Sequence, residues 1–162
     1  MSIARVFDDA RARLNGCPRE QLGEVVEPRR VLGVRRAPRI VPHGDAWHLG
    51  VLLLSDDAVL AVGEVVRSRE EARRGFAAES QRDRAALAAA AFRGGFPEGV
   101  AVHVGWDPVD LDAVERGSPS GPLAMIDGVP SVRWSPAAGF APLAGYLEDR
   151  IALLLDPPRG AS

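Results

Sequence analysis

The sequence predicts an α+β fold, a mostly antiparallel sheet of about five to six strands with three helices packed on it. Three observations carry that expectation. Residues 30–67 hold successive β-rich runs, with "SDD" between two of them. "LAMIDGVPSVRW" has Asp127-Gly128 between two runs, the signature of a two-residue type I′ hairpin. The chain's two ends repeat their apolar residues at helical spacing.

Taken in order, Ile3, Val6, Phe7, Ala10 and Leu14 mark a first helix over 3–14, stopped by Asn15-Gly16. "CPREQLGEVVEP" reads as a connector with room for one helical turn at Arg19–Leu22. "RVLGVR" and "RIV" follow as short strands, and "PHGD" as a turn. "AWHLGVLLL" and "AVLAVGEVV" form a hairpin in which Ser55 faces Ala58, Gly50 faces Gly63 and His48 faces Val65. Ser68 with Glu71 has capping-box spacing and opens a helix to about Arg93, where Gly94-Gly95 ends it. "GVAVHVGW" is a strand. "DPVDLDAVERG" is a short helix, with Asp107 as cap and Pro108 in its first turn. Leu143, Leu147, Ile151 and Leu154 line a last helix from about Pro142 to Leu155.

The chain of 162 residues fits a single domain over 1–162, with the N-terminal helix within 1–15 and a frayed tail at 156–162. No secretory leader is seen in "MSIARVFDDARARL", and the longest apolar run falls well short of a membrane span. The single cysteine, Cys17, makes an intramolecular disulfide impossible and fits a reducing cytoplasm. A soluble cytoplasmic protein with no membrane partner is therefore expected.

The chain contains no lysine. That excludes a P-loop, a lysine Schiff base and a Ser-x-x-Lys acylase. "GSPSG" is not a nucleophile elbow, since Pro119 stands at its centre. No G-x-G-x-x-G follows a strand. His43, Asp45 and His48, and separately Asp107, Asp110 and Asp112, lack the spacing of a metal signature, so neither metal nor cofactor is expected. Cys17 follows a helix C-terminus, whose dipole disfavours a thiolate.

Two candidate surfaces remain. Arg29, Arg30, Arg35, Arg36 and Arg39 put five positive charges within eleven residues of a chain with net charge −2. The alternating palindrome "RRVLGVRR" reads first as a strand with snorkelling ends, and second as a site for an anion or acidic partner. An acidic pI near 5.9 and the lack of interleaved aromatics argue against nucleic acid. The other surface is a ligand site on small-residue strand faces, with His48, His103, Trp106, Arg133 and Glu64 as its polar and aromatic contacts and Trp47 or Trp134 at the rim.

"AWHLGVLLLSDDAVLAVGEVVRSREEARRGFAAESQRDRAALAAAAFRGGF", with "VHVGW" after it, resembles a family of short proteins from high-GC bacteria, some of which carry a glutaminase label. The resemblance covers roughly residues 19–158 and implies amide hydrolysis as an alternative activity; read from the residues alone, Cys17 or a histidine would be the candidates to carry it. It supplies no catalytic motif residue by residue. The residues themselves favour a small-ligand or partner-binding module over an enzyme.

Overall fold

A computed structural model describes residues 2–28, 32–34, 36–71 and 78–160. The element order is α1 (Ile3–Leu14), β1 (Glu20–Val26), β2 (Arg39–Leu49), β3 (Leu52–Leu54), β4 (Val59–Ala61), β5 (Glu64–Arg67), α2 (Glu79–Arg93), β6 (Ala101–Val104), β7 (Asp107–Pro108), α3 (Leu111–Glu115), β8 (Leu123–Ile126), β9 (Val129–Arg133), β10 (Phe140–Pro142) and α4 (Leu143–Leu155). The fold is α+β with mostly antiparallel pairing, as expected. It has more and shorter strands than predicted, and among the described residues four helices, one for each helical segment read along the chain and one more than the three expected to pack on the sheet. No described helix is long and apolar enough to cross a membrane.

The chain forms two compact units, and it passes between them four times. The first unit holds residues 1–19, 46–62 and 107–162. Its core is built from Phe7, Leu14, Trp47, Leu49, Leu52, Leu54, Val132, Leu147 and neighbours. The end of β2 pairs antiparallel with β3, β3 with β4, and β4 with β7. A separate ladder, β10–β9–β8, is also antiparallel. Arg13 of α1 forms a two-pronged ion pair with Glu148 of α4, with N–O distances of 2.6 and 3.0 Å. The Ile3 amide donates to the Glu115 carboxylate, tying the start of α1 to the end of α3.

The second unit holds residues 20–45 and 63–106. There β1 runs parallel to β6, and β5 antiparallel to it. Ile40, Val66, Ala91, Phe96, Val102 and Val104 form its core, with Ala90 of α2 packed in. Gly94 follows α2 where a Cβ would overlap the Ile40 carbonyl, so only glycine fits.

Several expectations are corrected. Residues 20–26 are strand rather than connector or helix. Leu22 is buried there, and the run pairs with β6. The "PHGD" turn is absent, because β2 runs straight through residues 42–45, with Gly44 absorbing a φ of 118°. "AWHLGVLLL" breaks at Gly50-Val51 into two antiparallel strands, so Leu49 faces Leu52 and His48 faces Leu53, not Val65. Val65 instead lies opposite His103. The Asp56-Asp57 turn holds as read, with the Ser55 amide donating to the Ala58 carbonyl.

The capping box at Ser68 also fails. Ser68 is buried, its hydroxyl donates to the Phe96 carbonyl, and α2 begins only at Glu79. Residues 72–77 of the expected helix lie outside the described residues. Asp107-Pro108 is a short strand rather than a helix start, and Asp110 caps α3 by accepting from the Ala113 amide. Asp127-Gly128 is the predicted type I′ turn, with φ of 50° and 76°.

Candidate binding cleft

The register of the β8–β9–β10 ladder sorts its side chains onto two faces. Leu123 faces Val132, which faces Ala141. Leu123 and Val132 point into the first unit's core. On the other face Ala124 and Ser131 are paired and buried, while Ile126, Arg133 and Phe140 toward the strand ends are exposed. Arg133 faces Phe140 on β10, and on its other side its amide donates to the Pro122 carbonyl. Ala124 and Ile126 alternate onto the same face as Pro122.

Apart from Ser131 and Arg133, this second face carries apolar groups where an ordinary exposed sheet face carries polar ones. With Pro122, Met125, Trp134 and Pro136 it lines a cleft of 740 Å³, which Val51, Ala61 and Gly121 also line. Trp134 is 49% exposed and Phe140 36%. Among the described residues, Arg133 is the only charged one lining the cleft. Its guanidinium carbon lies 4.8 Å from the Phe140 ring centroid, an arrangement that holds the cation beside the apolar surface. Among the described residues Arg133 forms no ion pair.

The other predicted site residues are placed as follows. Trp47 is buried rather than at a rim. Its indole donates to the Cys17 carbonyl, and Arg19 lies 3.9 Å over its ring while pairing with Asp56 at 2.7 Å. That hydrogen bond and charge hold the Asp56 carboxyl below the usual range. Cys17 packs partly buried against the core. The His48 Nε2 donates to the Gly50 carbonyl at 2.9 Å, which fixes its ring beside the Gly50-Val51 turn.

His103, Trp106 and Glu64 belong to the second unit. His103 is fully buried, with Nε2 3.3 Å from the Glu20 carboxylate. The Trp106 indole donates to the Gly23 carbonyl. His43 rests 4.7 Å from the Trp106 ring, with Nδ1 3.2 Å from the Glu24 carboxylate. Glu64 opens β5 on the surface. Of the predicted ligand contacts, the cleft brings together Arg133 and Trp134.

Arg29, Arg30 and Arg35 lie outside the described residues, while Arg36 and Arg39 are exposed. The strand expected across "RRVLGVRR" is overturned in its middle. Leu32 and Gly33 have φ of 56° and 74°, the type I′ pattern, and Leu32 is 97% exposed. A leucine crossing a core would be covered.

Sequence reasoning missed Met125, Phe140 and the walls of the cleft. The local signal for Phe140 is slight, since "SPAAGF" has no alternation, and β10 forms only by pairing with β9. No protein-family model matches the chain, and no curated protein or solved structure matches it either.

Proposed function

We propose that the protein is a binding module whose cleft on the β8–β9–β10 ladder takes a small amphipathic anion, an apolar or aromatic body bearing one carboxylate, sulfonate or phosphate. The observation that supports this most is the lone cation among the described residues: Arg133, without an ion pair among them, lining a mostly apolar 740 Å³ cleft. That volume lies within the ordinary range of small-molecule sites, about 300–1,000 Å³. Trp134 and Phe140 supply the apolar contact and Arg133 the orientation, through charge-assisted hydrogen bonds.

The test uses two fluorescent probes that differ by one charge, 8-anilinonaphthalene-1-sulfonate and the neutral N-phenyl-1-naphthylamine. The sulfonate is expected to bind saturably and more tightly than the neutral probe. Arg133→Ala should weaken the sulfonate about tenfold or more, roughly 1.4 kcal/mol, and leave the neutral probe nearly unchanged. Equal weakening of both probes, or of neither, would remove Arg133 as the anion contact and with it this reading.

A second reading, an anion or acidic partner on segment 29–39, is favoured by one observation. Leu32 and Val34 are exposed at 97% and 64% in a segment whose described arginines, Arg36 and Arg39, form no ion pair among the described residues. Binding of a polyglutamate probe that survives Arg36→Ala with Arg39→Ala would count against it.

A further inference from the structure

A second cleft in the first unit has a volume of 520 Å³ and is lined by Trp134, Tyr146, Asp149, Arg150 and Leu153 among others. Among the described residues it shares only Trp134 with the first cleft. Its chemistry is different, since it holds one acid and one base. Asp149 and Arg150 are consecutive on α4, and consecutive helical side chains do not face each other. Neither forms an ion pair among the described residues.

Arg150 is held in place without neutralisation. Its guanidinium carbon sits 5.2 Å from the Tyr146 ring centroid. Tyr146 is itself fixed, because its hydroxyl donates to the Leu49 carbonyl at 3.0 Å and accepts from the Val51 amide at 2.8 Å. Gly50, at φ 68°, leaves the space for this, since a Cβ there would meet the Tyr146 hydroxyl and the Arg150 Nε. Beside the two charges, Trp134 and Leu153 remain 49% and 46% exposed.

An uncompensated acid and base next to apolar surface complement a ligand that is itself an acid and a base. A simple anion would leave Asp149 repelling it, and a simple cation would leave Arg150 doing so. We propose that this cleft binds a zwitterion of the free α-amino-acid class, with its ammonium at Asp149, its carboxylate at Arg150 and an apolar side chain against Trp134 and Leu153. The volume suits a ligand of that size.

The experiment is calorimetric titration with L-phenylalanine, L-leucine and L-methionine, each beside its N-acetyl and amide forms. At least one free amino acid is expected to bind at millimolar concentration or below. Its blocked forms should bind about tenfold more weakly or worse, equivalent to roughly 1.4 kcal/mol. Asp149→Asn and Arg150→Gln should each reduce the free amino acid to the level of its blocked forms. Asp149 is exposed and Arg150 half-buried on α4, and matching melting temperatures would confirm intact folding.

Arg133→Ala should leave amino-acid binding unchanged, and Asp149→Asn should leave sulfonate-probe binding unchanged. No binding by any free amino acid, equal binding by blocked forms, or indifference to both α4 variants would overturn the proposal. Any of these with the sulfonate probe still dependent on Arg133 would leave the first cleft's reading standing.

Discussion

At the scale of single residues, the proposed clefts rest on what their charged side chains do not pair with among the described residues. Twenty arginines and no lysines read in the sequence as composition rather than chemistry. The structure separates them by partner. Arg13 and Arg19 are paired, whereas Arg133 lies on a phenyl ring at an apolar cleft. Arg133 and Trp134 were legible as candidates because both follow the hairpin's plain turn signal. His48 was mispaired because Gly50-Val51 is a two-residue turn hidden inside an apolar run. Two predictions belong at this scale. Gly94→Ala should destabilise the fold by about 1–3 kcal/mol in chemical denaturation, because its methyl must displace the Ile40 backbone. A midpoint unchanged from wild type would show that the close approach relaxes freely. The second concerns acid. Hydrogen bonds and charge from Arg13 and Arg19 hold Glu148 and Asp56 below the usual carboxylate range. A carboxylate with a depressed folded pKa adds stability above its unfolded value, near 4, and that stability is lost as pH falls through the folded pKa. Both pairs are exposed, so the effect is small. Glu148→Gln with Asp56→Asn should make the fall in melting temperature between about pH 5 and pH 3 shallower than in wild type. Identical slopes would show that neither pair contributes.

Elements were legible where their signals are local. α1 and α4 appear within a residue of where the 3.6-residue spacing puts them, and Ser2 caps α1 by accepting from the Arg5 amide. The Asp127-Gly128 hairpin is equally local. The start of α2 was not legible, because Ser68-x-x-Glu71 has the capping spacing but Ser68 bonds instead to a carbonyl twenty-eight residues away. β1 was hidden for the opposite reason. Its partner β6 lies far along the chain, and its central Gly23 weakens the strand pattern. The consequence for α2 is a helix that begins without a side-chain cap, since Ala78 occupies the N-cap with an extended backbone. Ala78→Asp or Ala78→Ser should therefore stabilise the protein by about 0.5–2 kcal/mol. Aspartate should do slightly more, from its charge at the positive end of the dipole. A gain by neither variant would mean that the first turn of α2 frays in the native state and contributes nothing to the unfolding equilibrium.

At the scale of the whole chain, the two units divide the apolar residues unequally. Among the described residues, the first unit's core takes the large side chains Phe7, Trp47, Tyr146 and a series of leucines and isoleucines. The second unit's core is smaller, and two of its members are the alanines Ala90 and Ala91. Sequence reading expected one domain from length alone, and nothing local marks the crossings between units. They fall at residues 19–20, 45–46, 62–63 and 106–107, inside or beside strands rather than in linkers. Because each unit is assembled from separate stretches of chain, a single cut cannot release either as one continuous piece. Local opening free energy follows buried apolar contact, so the units are expected to differ in it. Native-state hydrogen exchange should show two tiers. The amides of Leu53 and Leu54 in β3, and of Leu147 and Ile151 in α4, should exchange only through global unfolding. Those of Val102 and Val104 in β6 and Ala90 and Ala91 in α2 should exchange through a smaller opening at lower free energy. Low denaturant should merge the second group with itself but not with the first. A single tier, with all these amides reaching the global value together, would show that the smaller core opens only when the larger one does. In the two-tier case both clefts lie in the slower tier, where Arg133 and Trp134 are kept in the fixed geometry that a pre-formed binding site requires.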